Sequence, residues 1–287
     1  MKRSSSAIGM PVMAASAVLF SLMSFLIPFT HGVSTPAIAS AQSFSIEPGR
    51  PRARVGRQNH MEETVMAKTR GTGLLMVWTD IDAEFEPEFN RWYDEEHLPR
   101  LLLIPGFLSA GRYSALRGGP KYLAIYELED HNVLRSSAYL DSLKYQPSAG
   151  RQRTGTSRIG RNFLRNAYRQ IFPVHTHPIE QTREMAPALQ MGRIDVSSAV
   201  EEEFNAWYNT VYIPGYLAVP GCLGARRYVA VEGQPKYLTL YEFEHPRVSE
   251  SEAWARSRSS NPWTRRMSPN LRHDEGSPGV YQRIYPK

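Results

Sequence analysis

The chain has 287 residues and a formal net charge of +6, with the 41% hydrophobic and 22% charged composition of an ordinary globular protein. Residues 1–70 carry +5 of that charge, so the remaining 217 residues are close to neutral and lack the basic surface that nucleic-acid-binding proteins use. The single cysteine, Cys222, excludes an intramolecular disulfide and a cluster of thiolate metal ligands.

The N-terminal segment supports two interpretations. A basic start, an apolar run at 12–29 and small residues after it form the pattern of a secretory signal, with cleavage near Ala39 or Ala41 and export of the protein. Alternatively, residues 1–65 are a mis-annotated, disordered leader, and translation starts at Met66. We favour a start at Met66 and a cytoplasmic protein, because nothing in the body of the chain indicates an oxidising compartment. We expect no stable membrane association of the mature protein.

Six elements are predicted after the leader, in the order β-α-β-β-α-β. Short apolar runs bounded by turn residues indicate strands, and aromatic residues at helical spacing indicate the first helix. Pro99 marks either the end of that helix or a kink within it. The strands are predicted at 73–81, 107–116, 121–129 and 162–173, and the helices at 86–104 and 131–143.

The whole pattern then repeats. FNRWYDEEHLP at 89–99 returns as FNAWYNTVYIP at 204–214, and residues 88–130 align with 203–245 without a gap. Such self-similarity indicates two copies of one structural unit. The predicted domains are a first ferredoxin-like unit at 66–175, a linker at 176–187 and a second ferredoxin-like unit at 188–287.

The order β-α-β-β-α-β predicts an α+β fold in which each unit has an antiparallel sheet with both helices on one face. The uncovered face of each sheet must also be buried, and the other unit can bury it. We therefore expect two tandem ferredoxin-like units that form an intrachain pseudo-dimeric α/β barrel, with helices outside and a cavity between the sheets.

The run F-x-x-W-Y-x-x-x-H-x-P, followed by P-G-F, R-Y and K-Y-L-x-x-Y-E-L, resembles the EthD-like members of the dimeric α/β-barrel superfamily. The resemblance covers essentially all of residues 71–287, once per copy. It implies the barrel fold, made here from one chain. The superfamily includes cofactor-free cyclases, isomerases and dehydratases, small monooxygenases and haem enzymes, so the resemblance leaves the reaction open.

His97 is the candidate catalytic residue, because it matches the histidine of that motif and has Asp94 and Glu96 beside it. An imidazole with a pKa near its unperturbed value of about 6.5 suits proton transfer, and a carboxylate could hold its tautomer. The alternatives are a structural histidine at a helix end and, less favoured, a metal or haem ligand. The second copy has Tyr212 at this position, so we expect one active cavity, with Tyr212 lining it or donating a hydrogen bond.

Aromatic and arginine side chains are the candidate substrate-binding residues. Each Arg-Tyr pair lies on a strand, where alternation turns one of the two side chains to the barrel interior. An arginine there could bind a carboxylate or polarise a carbonyl. The candidates are Tyr93, Arg112, Tyr113, Tyr126, Tyr212, Arg227 and Tyr241, whereas Phe89, Trp92, Phe204 and Trp207 are predicted core residues.

No metal or cofactor is predicted. His175 and His177 lie in a linker-like stretch without a nearby carboxylate or cysteine cluster. The leading prediction is a cofactor-independent lyase, isomerase or cyclase that acts on a small apolar carbonyl or aromatic compound, in small-molecule catabolism, with proton transfer by His97. The alternatives are a cofactor-free monooxygenase and a non-catalytic carrier or stress protein. The partner is a small molecule and not a nucleic acid, and the pseudo-dimers could self-associate.

Overall fold

Nine antiparallel strands form the framework of the computed structural model, which describes residues 71–144, 160–173, 185–259 and 261–287. The strands are β1 Gly73–Ile81, β2 Phe107–Arg117, β3 Tyr122–Leu128, β4 Gly160–Phe172, β5 Ala188–Asp195, β6 Cys222–Glu232, β7 Tyr237–Phe243, β8 Arg272–His273 and β9 Gly279–Tyr285. The predictions for residues 1–65 and for most of the linker lie outside the described residues.

Eight of these strands close into a barrel. Their order is β7-β6-β4-β1-β3-β2-β9-β5, and β5 pairs with β7 to complete the ring, while the two-residue β8 pairs with the end of β5. The first half contributes the order β4-β1-β3-β2 and the second half repeats it as β9-β5-β7-β6. The halves join through the pairs β2–β9 and β4–β6, so the closed ring leaves no open sheet edge between them.

Side chains alternate between the two faces of the barrel wall. On β3, Tyr122, Ala124 and Tyr126 face the helices, and Leu123 and Ile125 face the interior. A cavity between the sheets was expected. A buried cluster drawn from both halves packs inside the barrel, and a pocket of about 530 Å³ is lined by residues of both halves, among them Asp80, Leu164 and Arg193. The members of the cluster include Leu74, Met76, Trp78, Tyr113, Tyr168, Leu189, Met191, Tyr228, Leu238 and Tyr281. Strands whose two faces are both apolar fill the space on each side of the wall.

One ion-pair network lies inside the barrel. Arg226 of β6 donates from Nη2 to Glu127 of β3 at 2.7 Å and to Glu242 of β7 at 2.9 Å. All three side chains are at least nine-tenths buried. Glu127 and Glu242 occupy equivalent places in the two copies, whereas the counterpart of Arg226 is Gly111. Arg226 therefore joins its own half to the other through a buried ion pair with Glu127.

The first long helix differs from its prediction in one respect. It runs as Glu86–Trp92, a π-helical turn Tyr93–His97 and then Leu98–Leu102, and the Leu98 N–H bonds to the carbonyl of Tyr93. Pro99 lies in the first turn after the π-helical turn, and the backbone on both sides of it is helical. Pro99 therefore marks a continuation of the helix. The second half repeats this arrangement as Glu201–Trp207, Tyr208–Tyr212 and Ile213–Leu217.

The second predicted helix is two short helices. Ser136 has an extended backbone, and its hydroxyl accepts a hydrogen bond from the Tyr139 N–H, so it caps a new helix instead of continuing the old one. The remaining helices are His131–Arg135, Ser137–Ser142, Ser198–Val200, Pro246–Glu250, Glu252–Ser259, Pro262–Met267 and Ser268–Asn270. Within the described ranges, none of the helices combines the length and apolar character needed to cross a membrane.

Candidate functional site

His97 is the last residue of the first π-helical turn and lies among aromatic rings. Its imidazole stacks on Trp92 with 4.5 Å between ring centroids, and Tyr93 meets it edge-on at 4.8 Å. The ring of Tyr126, on β3, is 6.5 Å away. Tyr93 and Tyr126 are buried, while Trp92, a predicted core residue, is only partly buried. The rings hold the imidazole in one orientation between the helical segment 86–102 and the sheet.

The electrostatic surroundings of His97 disfavour its protonated form. Its Nδ1 is buried and has no hydrogen-bond partner in the part of the chain that the structure describes. Burial, followed by the positive charges of Arg100 and Arg112, lowers the pKa of His97 from 6.5 to about 3. The imidazole is therefore neutral at physiological pH, and the expectation of a pKa near 6.5 is revised.

Arg112, from β2, ties the sheet to the π-helical turn. Its Nη1 donates to Asp94 Oδ1 at 2.7 Å and its Nη2 donates to Asn90 Oδ1 at 2.6 Å. The guanidinium is 2% exposed and lies over the ring of Tyr93, 4.6 Å from its centroid. Asp94 thus accepts a hydrogen bond from Arg112. It was predicted to orient the imidazole of His97 instead. Glu96 lies on the same turn and is partly buried.

In the second half an equivalent arginine also bonds to the helical segment, but its partners there are neutral. Arg227 donates from Nη1 to Asn209 Oδ1 at 2.7 Å and from Nη2 to Asn205 Oδ1 at 2.9 Å, and its guanidinium lies over Tyr208. Asn209 stands where the first copy has Asp94, so it replaces the hydrogen bond but not the ion pair. Burial lowers the pKa of Arg227 in this neutral setting.

A cavity of about 230 Å³ lies against the helical segment 201–217 in the second half. Five large aromatic side chains line it, and its polar residues include Gln190 of β5, Arg117 of β2 and His273 of β8. The aromatic lining is Tyr208, Tyr212, Tyr216, Tyr241 and Trp254. The predicted residues Tyr212 and Tyr241 therefore come together here.

The seven predicted substrate-binding residues thus fall in separate places. Tyr93 and Tyr126 lie with His97, and Tyr212 and Tyr241 line the second-half cavity. Arg112 and Arg227 are bonded to side chains of their own helical segments. Tyr113 faces the barrel interior, where its hydroxyl donates to the Ala186 carbonyl at 3.0 Å. Their roles toward a substrate stay predictions.

Three residues that matter at these sites were not among the candidates. Asn90 could have been identified from the repeat, because the second copy also has an asparagine there, Asn205, together with an equivalent arginine. Gln190 could also have been identified, because this polar residue replaces the apolar Leu75 of the first copy inside a predicted strand. Arg100 could not have been identified from the sequence, because its effect on the pKa of His97 depends on the distance between the two side chains in the folded protein.

Across residues 71–144, 160–173, 185–259 and 261–287, no group of three or more His, Cys, Asp or Glu side chains could hold a metal ion. His175 and His177 lie outside the described residues. Cys222 is partly buried, and burial raises its pKa to about 11, so it remains a thiol.

Comparison with known proteins supports the architecture. No protein-family model matches the sequence, and no curated protein matches it. Among solved structures, a chlorite dismutase from Candidatus Nitrospira defluvii has 12% identity and a TM-score of 0.50, over 76% of this chain and 92% of that one. The fold is that of the dimeric α/β barrel. An anthrone oxidase-like protein has 15% identity and a TM-score of 0.48, over 76% of this chain and 93% of that one. At such identities the likeness concerns the fold alone.

Proposed function

We propose that this protein is an enzyme that removes a proton from a small aromatic or enolisable carbonyl compound, with His97 as the base. The observation that carries the proposal is the buried Nδ1 of His97, which is without a hydrogen-bond partner among the described residues. A buried polar atom without a partner is costly unless a ligand supplies one. The acidic hydrogen of a substrate would supply it.

The charges near His97 suit such a step. Arg100 and Arg112 destabilise an imidazolium at His97, but the same two positive charges would stabilise an enolate or phenolate beside it. When the proton passes to His97, an ion pair replaces two neutral groups, and the new anion raises the pKa of the imidazole. With a pKa of about 3 in the free protein, the imidazole of His97 is deprotonated at neutral pH, as a general base must be before it accepts a proton.

The surrounding rings suit a small, flat and mostly apolar substrate. Trp92 stacks on one face of the imidazole and Tyr126 approaches from the sheet, so the walls are aromatic and the polar groups are few, as in most small-molecule sites. Asp94 would act indirectly, because its carboxylate holds Arg112 in place. Glu96 is proposed to act with them in proton transfer.

Proton removal is the first step of more than one reaction. An isomerase would return the proton to another atom of the anion. A lyase would expel a leaving group, which takes up the proton, and a cyclase would join the anionic carbon to a carbonyl carbon of the same molecule, whose oxygen takes up the proton. A cofactor-free monooxygenase would instead expose the electron-rich anion to O2. We propose a reaction of the first three kinds for this protein and treat the monooxygenase as the alternative. A measurement of oxygen consumption distinguishes them.

The proposal extends to the organisation of the chain. The two halves have the same strand order, and Gly73 pairs with Leu128 as Ala188 pairs with Phe243, 115 residues later. This repeated register supports two tandem ferredoxin-like units of the EthD-like kind, at 66–175 and 188–287. We further propose a cytoplasmic, small-molecule catabolic role.

The test follows deuterium exchange at the acidic carbon of 2-tetralone, a small aromatic ketone, by proton NMR in the presence of the protein. We expect His97→Ala to lower the catalysed rate by roughly 10²–10⁴-fold, the usual contribution of a general base. Tyr212→Phe, at the equivalent place in the second copy, is the matched control and should leave the rate within about twofold. Added imidazole should partly restore the His97→Ala rate. Equal effects of the two substitutions would contradict the proposal.

A further inference from the structure

The cavity in the second half has Tyr212 in the position of His97, and it contains polar groups that have no hydrogen-bond partner among the described residues. We propose that it is a separate binding site for a small neutral phenol, an aromatic compound of one or two rings with a hydroxyl group. This site binds its ligand without removing a proton. It would therefore be occupied independently of the reaction proposed for the first half.

The size of the cavity limits the ligand. At about 230 Å³ it is smaller than the roughly 300–1,000 Å³ typical of pockets for drug-sized ligands, so it admits one or two rings. Its walls offer faces for stacking: Trp254 lies 4.1 Å from Tyr216 and 5.2 Å from Tyr241 between ring centroids. A flat aromatic ligand matches these walls better than a flexible chain does.

Two polar atoms define the ligand's functional group. The hydroxyl of Tyr241 and the Oε1 of Gln190 are both buried, and neither has a hydrogen-bond partner within the described residues. Tyr241 as a whole is 4% exposed. The two residues are directly opposite each other on β7 and β5, so their side chains are neighbours on the helix-facing side of the sheet. One ligand hydroxyl can donate to Gln190 and accept from Tyr241, which satisfies both atoms.

The first half lacks this arrangement, although its backbone register is the same. Leu75 is opposite Tyr126 there, in the place that Gln190 takes opposite Tyr241. Gly192, which also lines the cavity, replaces Val77 of the first copy. The second copy has therefore gained both a polar partner and additional space at the same site.

The surroundings favour a neutral ligand over an anion. Burial and the neighbouring tyrosines raise the pKa of Tyr241 well above its ordinary value, which shows an environment that disfavours negative charge. Arg117 and His273 also line the cavity, but both are exposed to solvent, and Arg117 is bonded to Ser249, so charge at these two positions is screened. Tyr212, in the position of His97, can offer a hydrogen bond but is too weak a base to accept a proton.

Two tryptophans allow each half to be monitored separately. Trp254 lines the second-half cavity, and Trp92 stacks on His97 in the first half. The experiment titrates 2-naphthol into the folded protein labelled with 5-fluorotryptophan and follows both fluorine resonances, assigned with Trp254→Phe and Trp92→Phe. We expect a saturable shift at Trp254. The same titration with naphthalene measures the contribution of the rings without the hydroxyl.

Variants of the two polar residues decide the proposal. Gln190→Leu, which copies the first half, and Tyr241→Phe should each raise the Kd of 2-naphthol at Trp254 by about two- to tenfold, the value of one hydrogen bond between neutral groups. The Kd of naphthalene should change by less than about twofold. The proposal is overturned if Trp254 does not respond in the folded wild type, or if both variants bind 2-naphthol as tightly as the wild type.

Gly192→Val and His97→Ala provide further controls. A Cβ at Gly192 would meet nothing nearer than Ile194 at 3.4 Å, so the backbone tolerates the change while the valine fills part of the cavity. Gly192→Val should abolish the Trp254 response to both ligands. His97→Ala should leave that response unchanged, so failure of this proposal and failure of the proposed proton transfer give different results. If 2-naphthol shifts the Trp92 resonance of the His97→Ala protein but not its Trp254 resonance, the ligand does not bind in the second-half cavity, and the proposal of a second site is wrong.

Discussion

The low pKa of His97 predicts how the stability of the protein changes in weak acid. In the unfolded chain the imidazole takes up a proton below about pH 6.5, whereas in the folded protein it does so only near pH 3. Between these two values the unfolded state binds more protons, so the free energy of unfolding falls as the pH falls. Above pH 6.5 this contribution of His97 is complete and constant.

The size of the effect follows from the two pKa values. Between pH 8 and pH 5.5, the difference in proton binding at this one group lowers the free energy of unfolding by about 1.4 kcal/mol. His97 is only partly exposed, so solvent screening reduces this figure modestly, and we take it as an upper limit. His97→Gln removes the titrating group and should remove this part of the pH dependence.

The assay is urea unfolding at pH 8 and pH 5.5, followed by tryptophan fluorescence. We expect the loss of stability on acidification to be smaller in His97→Gln than in the wild type, by at most about 1.4 kcal/mol. His245→Gln, at an exposed position outside the site, is the matched control and should keep the wild-type difference. If wild type and His97→Gln lose the same stability on acidification, His97 is not in the environment described above, and the argument for a base held neutral fails.

Three further predictions concern the framework. Arg226→Met should lower the free energy of unfolding by about 3–5 kcal/mol in urea titrations, because it leaves Glu127 and Glu242 buried without their cation. Asp94→Asn should cost less than about 2 kcal/mol in the same assay, because an asparagine holds the equivalent arginine in the second half, and Asp94→Ala should cost more. A fragment of residues 66–180 should dimerise or aggregate in light scattering, since it exposes the strand edges that close the barrel; a well-behaved monomer would contradict the barrel.

Much of the architecture follows from local patterns in the sequence. The bounds of β1 agree with its prediction because a short apolar run between turn residues has few other structures open to it. The repeat of FNRWY as FNAWY predicted matching halves, and the strand order is the same in both. The aromatic residues Phe89 and Phe204 were predicted to be core and are buried, because their helical spacing places them on one face.

Other features depend on contacts between residues distant in the sequence. The π-helical turn Tyr93–His97 is not a local pattern, and Arg112 of β2 holds it by bonding to Asp94 and Asn90. The alternation of side chains along the strands was predictable from the sequence, but the packing of both faces and the cavity beside the helical segment 201–217 were not.

The chemistry of the two sites depends most on the tertiary structure. From the sequence alone, His97 has the ordinary pKa of a histidine; the folded chain lowers it by burying the ring and placing Arg100 and Arg112 nearby. In the same way, the role proposed for Gln190 depends on the pairing of β5 with β7, which places it opposite Tyr241. A sequence determines which side chains are present and which face of an element they share. Their electrostatic properties depend on distance and on exclusion of water, and those exist only after the strands have paired and the helices have packed.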